Sequence, residues 1–176
     1  MNRLDSINSE LNNWAARVSP SSGYDEIPAM QPFQINDRIR LEPYKEYVHR
    51  YTGFWAADMW NQYRTSKLLL HDMMLAHLYP EATSPSPNAS AQIKCIGIRT
   101  EMRVIADDIC HSAPYILGLL NQEKRDASAI PVRSSTGAFL LLCPLTAAAL
   151  VDPNASKVAE FCFHYLDVIS EVMGIH

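Results

Sequence analysis

Residues 54–78, FWAADMWNQYRTSKLLLHDMMLAHL, lie in the longest stretch of this chain that contains neither glycine nor proline. Their apolar side chains recur at helical spacings in two rows, which are Trp55, Met59, Tyr63, Leu70 and Met74, and Trp60, Leu68, Leu69, Leu75 and Leu78. The rows cover most of the circumference of a helix, so such a helix needs neighbours on several sides to remove that surface from water. The stretch therefore predicts the central helix of an all-α fold.

Four other segments have helical periodicity, and turn-forming residues separate them. They lie within residues 1–18, 90–117, 137–151 and 155–173. With the central helix they make about five main helices, which we expect to pack as antiparallel hairpins in a bundle or a solenoid-like stack. In the segment 90–117 the spacing predicts a core-facing side made of Ile93, Ile96, Thr100, Val104, Ile109 and Tyr115.

Residues 19–51 contain several prolines and have no lasting periodicity. They predict an irregular arm between a leading helix (1–18) and a helical core (52–176), all within a single all-α domain that covers residues 1–176. The last part of the arm has two interpretations. It is either an extended run or a short helix that Pro43 begins and that presents Tyr44, Tyr47, Val48 and Tyr51.

The composition narrows the classes of function. The 176 residues carry a formal net charge of −4, which disfavours direct binding to nucleic acid by neutralisation of phosphates. The polar start of the chain lacks the apolar core of a secretory signal, and no apolar run has membrane-spanning length. Four cysteines stand without a CxxC pair. We therefore expect an intracellular protein with reduced, mostly buried thiols.

One polar tetrad interrupts the central helix, formed by Trp60, Asn61, Tyr63 and Arg64. Asn61 and Arg64 are three residues apart and share a helix face. In one interpretation Arg64 anchors a carboxylate or phosphate of a ligand. In the other, Arg64 belongs to a buried polar network, where it caps a loop carbonyl or pairs with an acidic residue. The second interpretation is the more common use of such residues.

The pair Asp108 and His111 has the spacing of two metal ligands on one helix face. A di-iron helical bundle needs a second copy of this pair, which the sequence lacks, so we expect no metal. We expect His111 to cap a turn and Asp107 or Asp108 to pair with a base such as Arg103. Nothing resembles a nucleophile elbow or a phosphate loop, so no catalytic residue and no cofactor is predicted. The candidate polar or ligand site is Asn61, Tyr63, Arg64, Asp108 and His111.

Three segments taken together resemble a known family. They are residues 49–64 (HRYTGFWAADMWNQYR), residues 106–118 (ADDICHSAPYILG), and residues 137–151 (GAFLLLCPLTAAALV) with the closing VISEVMGIH at 168–176. In this order they resemble the C-terminal α-helical region of fungal-specific zinc binuclear-cluster transcription factors. The cysteine cluster that binds zinc and DNA in that family, and its basic linker, are not in this sequence.

The resemblance implies a non-enzymatic regulatory domain located in the nucleus. Such a domain modulates transcription through protein or small-ligand contacts and does not bind DNA itself. Its implied partners are other proteins or the DNA-binding portion of a longer chain. Two alternatives remain, a generic helical scaffold or small-ligand-binding module, and a small helical enzyme. The enzyme requires an enclosed cavity where Arg64, Asp108 and His111 converge.

Overall fold

The computed structural model describes residues 2–29, 31–35, 39–86, 88–120, 132–152 and 156–173. Within these ranges the chain forms five helices, α1 (Asn2–Ser22), α2 (Phe54–Ala82), α3 (Ala89–Ile116), α4 (Val132–Ala149) and α5 (Lys157–Met173). It also forms four short strands, β1 (Tyr24–Pro28), β2 (Phe33–Gln34), β3 (Arg40–Leu41) and β4 (Tyr47–Tyr51). The fold is mostly helical, as predicted, but the prediction that it is strictly all-α is wrong.

Two small antiparallel sheets occupy the segment that was predicted to be an irregular arm. Strand β1 pairs with β4, with Tyr24 opposite Tyr51 and Pro28 opposite Tyr47, and β2 pairs with β3. The extended interpretation of the run before α2 is therefore confirmed, and the short helix is wrong. The β1–β4 ribbon joins segments that are far apart in the chain, so no local period in the sequence marks the pairing.

The predicted central helix, α2, does lie at the centre of the helical part. It contacts α1, α3, α4 and β4. It continues past its predicted end at Leu78, through Pro80, to Ala82. Helix α1 also runs beyond the predicted boundary, to Ser22. The rule that a helix stops before a proline therefore placed the ends of both helices too early.

Helices α2 and α3 form an antiparallel hairpin. At the turn, the side chain of Gln92 donates to the carbonyl oxygen of Ala82 (3.2 Å), and Asn88 caps α3 by accepting two main-chain N–H groups. Far from the turn, Asn61 of α2 contacts Ser112 of α3 (2.8 Å). The polar face of α2 therefore meets the second half of α3, which is where Asp108 and His111 lie.

Helix α4 packs antiparallel to α3, and α5 packs against α4. Arg103 of α3 binds Asp152 just after α4 (3.1 Å), while the start of α4 approaches the end of α3. At that approach Gly137 lies so close to Ile116 that a Cβ on it would be 2.2 Å from the carbonyl oxygen of Ile116. The side chains of α5 that belong to the core or pack against it include Val158, Phe161, Cys162, Tyr165, Leu166 and Ile169.

The core-facing side of α3 differs from the prediction. Of the six residues expected there, Ile109 is buried and Tyr115 is partly buried, but four are exposed, namely Ile93, Ile96, Thr100 and Val104. The buried row is Ala91, Cys95, Ile98, Met102, Ile105 and Ile109. Both rows have helical spacing and both contain isoleucines, so the pattern alone does not distinguish the row that faces the core. Trp55 and Leu69 of α2, also placed in apolar rows, are exposed as well.

Candidate functional site

A buried polar group joins the β1–β4 ribbon to the α2–α3 hairpin. Its centre is Arg64, whose side chain is only 2% exposed. The group draws on both elements because β4 packs against α2 and α3. We call it the Arg64 cluster, and it consists of Tyr24, His49, Tyr51, Asn61, Arg64, Asp108, His111 and Ser112.

The guanidinium of Arg64 is bound on several sides. Its Nη1 donates to the hydroxyl of Tyr51 (2.6 Å) and to Oδ1 of Asn61 (3.1 Å). Its Nη2 lies 3.6 Å from Oδ2 of Asp108. The ring of Tyr24 lies 5.0 Å from the guanidinium carbon, which is the range of a cation–π contact. The buried charge thus has a counter-ion and neutral partners, which burial of a charge requires.

Asn61 connects α2 to α3 within the cluster. Its Nδ2 donates to Oγ of Ser112 (2.8 Å), and that hydroxyl donates to the carbonyl oxygen of Ile109 (2.7 Å). Because Arg64 can only donate, the amide atom that faces it is the acceptor Oδ1, which also lies 3.0 Å from Oγ of Ser112. The network therefore fixes the orientation of the amide and ties the two helices together.

Two buried histidines belong to stacks of rings in the cluster. His49 stacks on Tyr24 and His111 stacks on Tyr47, each with ring centroids 3.9 Å apart. Nδ1 of His111 is 2.8 Å from the carbonyl oxygen of Tyr47, so this nitrogen carries the proton and donates it. Burial lowers the pKa of both histidines, that of His49 to about 2 with a further contribution from Arg64. Both imidazoles are therefore neutral near pH 7.

Asp108 is the solvent-facing edge of the cluster, with a side chain that is 30% exposed. Burial raises the pKa of Asp108, and the positive charge of Arg64 opposes that rise. Burial lowers the pKa of Arg64, but Tyr51 and Asp108 outweigh burial, so the pKa is raised and the arginine stays charged. Burial also raises the pKa of Tyr51, to about 12. The cluster therefore stabilises one buried positive charge, that of Arg64.

An open cavity of about 450 Å³ adjoins the cluster at Tyr24 and Tyr51. Its lining consists of Ser21, Gly23, Tyr24, Asp25, Arg50, Tyr51 and Thr52. Arg64 is not part of this lining, and its Nη1 is already bound to Tyr51 and Asn61. The geometry favours the interpretation of Arg64 as part of an internal network over that of an anchor for a ligand.

Four of the five residues of the predicted polar site meet in the cluster, namely Asn61, Arg64, Asp108 and His111. The fifth, Tyr63, packs its ring against Trp14 of α1 (5.4 Å between centroids) and against Trp60 (5.6 Å).

The expected partners of the neighbouring charges are partly wrong. Asp108 pairs with Arg64, and Asp107 binds Lys45 (2.5 Å), so neither pairs with Arg103. Arg103 binds Asp152 instead.

No metal centre is found in the part of the chain that the structure describes. Over those residues, no group of three or more His, Cys, Asp or Glu side chains could hold an ion. Among the described residues, Nε2 of His49 and Nε2 of His111 have no hydrogen-bond partner, and Nε2 of His49 is 4.0 Å from Asp108. Two imidazoles and one carboxylate thus lie near each other without the geometry of a metal site.

The contribution of the strands to the Arg64 cluster was not predicted from the sequence. Tyr24, His49 and Tyr51 were assigned to an irregular arm, yet they supply half of the contacts around Arg64. The usable signal was the run YVHRY (47–51), rich in aromatic and β-branched residues and directly followed by Thr52-Gly53.

A second buried polar group links α1, α2 and α3, and it too was missed. Lys67 is fully buried, and its Nζ donates to Oδ1 of Asn8 (2.6 Å) and of Asn12 (3.0 Å) and pairs with Glu101 (2.8 Å). His71 lies 3.6 Å from the other oxygen of Glu101. Asn8 and Asn12 are four residues apart on α1, which was the only signal in the sequence.

Three of the four cysteines are buried, as predicted, and Cys143 is exposed. The sulfur atoms of Cys110 in α3 and Cys162 in α5 are 3.6 Å apart. Burial, together with the contact to Cys162, raises the pKa of Cys110. These thiols pack as small apolar groups between the two helices.

Several large apolar side chains lie outside the core. They are concentrated on the outer faces of α2, α3 and α4, namely Trp55, Leu69, Met73, Ile93, Ile96, Val104 and Phe139. Over the described ranges, none of the helices is both long enough and apolar enough to pass through a lipid bilayer.

Comparison of this chain with protein-family models, with curated proteins and with solved structures finds no match.

Proposed function

We propose that this chain is a non-enzymatic regulatory domain of the kind found in the helical region of fungal zinc-cluster transcription factors. It modulates transcription through contacts with other proteins and does not bind DNA itself. Its place of action is the nucleus. The proposal starts from the resemblance of residues 49–64, 106–118 and 137–151 to that family.

One observation of the structure supports protein contacts in particular. Side chains as large as Trp55 (73% exposed) and Ile93 (70% exposed) project from the outer faces of the helices. Extended apolar surface of this kind is typical of proteins that bind other proteins. The polar groups that an enzyme would use are instead bound to each other in the Arg64 cluster.

A reporter experiment tests the proposal. The chain is fused to an unrelated DNA-binding domain, and transcription is measured in a fungal strain that carries the binding site of that domain before a reporter gene. We expect the fusion to change reporter output several-fold, and we expect the unfused chain to cause no gel shift of DNA at physiological salt. A folded, nuclear fusion that leaves the reporter unchanged contradicts the proposal.

A further inference from the structure

The outward side of α3 carries an apolar stripe that no other part of the described chain covers. Ile93, Ile96 and Val104 are 70%, 66% and 57% exposed, and Thr100 is also exposed. Together with Gly97 these residues form what we call the α3 outer face. At 1.5 Å per residue it is about 17 Å long, or three helical turns.

Gly97 makes a depression in the middle of this face. A Cβ placed on Gly97 would meet nothing within 4 Å, so the space above it is open. Ile93, Ile96, Gly97 and Thr100 have the spacing i, i+3, i+4 and i+7. Four residues in this arrangement form the hole that accepts one large side chain of a second helix in knobs-into-holes packing. The absence of a side chain at Gly97 deepens that hole.

Within the described residues, the charges of α3 beside the face that lack an ion pair are basic, although the whole chain has a net charge of −4. Lys94, Arg99 and Arg103 are all exposed on α3. Over the described residues, Lys94 and Arg99 have no ion pair, whereas Arg103 binds Asp152. The acidic residues of α3 near this face are paired, Glu101 with Lys67 and Asp107 with Lys45. Lys94 and Arg99, which have no ion pair within the described residues, therefore lie beside the apolar stripe.

We propose that the α3 outer face binds an amphipathic helix of another protein. A large apolar side chain of that helix enters the hole over Gly97, and acidic side chains beside it lie opposite Lys94 and Arg99. This inference rests on the protein-contact part of the proposed function and does not depend on transcription. Charge complementarity of this kind directs the choice of partner and the rate of encounter.

A membrane surface is the other class of partner that basic and apolar residues attract. The hole at Gly97 argues for a helix. A bilayer adapts to any protruding apolar side chains, and membrane binding increases with buried apolar area, so a gap in the stripe weakens it. A helix needs a gap of this size to bring its axis close.

Gly97→Leu should weaken the binding of a partner helix and strengthen the binding to a membrane surface. The substitution fits the space and replaces glycine by a better helix former, so we expect the variant to fold. It fills the hole and blocks a docked helix, but it adds apolar area for a membrane. Ile96→Glu removes apolar surface and weakens both kinds of binding. Phe139→Ser, on the exposed surface of α4, is the matched control on another face.

The probe is a displayed library of sixteen-residue helical peptides with fixed apolar residues on one face and random residues at the flanking positions. The full chain is the bait, and binding of the enriched peptides is then measured by fluorescence anisotropy. We expect enrichment of Asp and Glu at the flanking positions. The same peptides should bind at least tenfold more weakly to Gly97→Leu, to Ile96→Glu and to the double variant Lys94→Glu/Arg99→Glu, and equally well to Phe139→Ser.

Two outcomes overturn the inference. One is a set of enriched peptides whose affinity is unchanged by all three α3 variants. The other is binding to vesicles of phosphatidylcholine and phosphatidylserine that increases in Gly97→Leu and is lost in Ile96→Glu, because this indicates a membrane surface. Failure of the reporter experiment with peptide binding intact removes the role in transcription and leaves the α3 site. A reporter response that the α3 variants leave unchanged keeps the role in transcription and shows that this role does not use the α3 outer face.

Discussion

Arg64 is the residue around which the polar chemistry of this protein is arranged. Its neighbour on the same helix face, Asn61, is visible in the sequence because the two are three residues apart. Its partners on α3 and in the ribbon are not, because tertiary packing alone brings Asp108 and Tyr51 to it. The sequence could thus predict that a polar group lies inside the helical core, but not which residues neutralise it.

Removal of Arg64 tests this arrangement. Arg64→Ala leaves the hydroxyl of Tyr51 and the amide of Asn61 without their partner, and we expect it to lower the free energy of unfolding by about 3–5 kcal/mol. Arg99→Ala is the matched control, since Arg99 is exposed and lies in no ion pair of the described chain, and it should change stability by less than about 0.5 kcal/mol. Urea denaturation measures both. A loss below about 1 kcal/mol for Arg64→Ala contradicts the central role of the cluster.

The cysteines differ in accessibility, which alkylation can measure. Under native conditions iodoacetamide should modify Cys143 and leave Cys95, Cys110 and Cys162 unmodified, because only the first is exposed. The raised pKa of the buried Cys110 thiol lowers its reactivity further. In denaturant all four should react. Mass spectrometry of the digested protein distinguishes the sites, and rapid native labelling of Cys110 contradicts the packing of α3 against α5.

At the scale of the element, α3 shows why periodicity predicts a helix better than its orientation. One row of α3 is rich in Ile and Val and faces outward, while the row that faces the core contains the smaller Ala91 and Cys95. Small residues suit a helix with close neighbours on two sides, but hydrophobicity alone does not separate the rows, because Ile98, Ile105 and Ile109 lie in the core-facing row. A pattern within one segment cannot report which face the rest of the fold covers.

Two glycines in helices give opposite predictions for the same substitution. Gly97→Ala meets open space and should stabilise the protein by up to about 1 kcal/mol through helix propensity. Gly137→Ala places a methyl group against the main chain of Ile116, so α3 and α4 must separate, and we expect a loss of about 1–3 kcal/mol. Thermal unfolding of the two variants side by side measures the difference. Equal stability of the two variants contradicts the close packing of α4 on α3.

At the scale of the whole molecule, the helical content was predictable and the strands were not. Each helix shows its own period, whereas the β1–β4 ribbon depends on a pairing across residues 29–46, which local patterns do not record. The ribbon then brings Tyr24, His49 and Tyr51 to Arg64, so most of what could not be predicted in the site follows from the strands.

The stability of the protein should fall in acid because its buried histidines are neutral. Burial lowers the pKa of His49, His71 and His111 from 6.5, so below about pH 6.5 the unfolded chain binds protons that the folded chain does not. The stability is therefore present above that pH and lost below it, by at most about 1.4 kcal/mol per pH unit for each histidine that stays neutral in the folded chain. The raised pKa of Asp108 opposes part of this loss near pH 4.

Unfolding in urea between pH 7 and pH 4.5 checks the slope. We expect His71→Gln to make the slope less steep, since it removes one of the three histidines whose pKa is lowered. The control His77→Gln changes an exposed histidine of the same helix and should leave the slope as it is. Stability that is independent of pH over this range contradicts the neutral, buried state of the three imidazoles.

The position of Arg64 between the ribbon and the hairpin also bears on how the molecule opens. Detachment of the β1–β4 ribbon alone would remove Tyr24, His49 and Tyr51, which supply half of the contacts around the guanidinium of Arg64. That partial opening is costly, so the ribbon and the hairpin should come apart together, in one cooperative unit. Hydrogen exchange should then find main-chain amides of the short β4 strand protected as strongly as those in the middle of α2.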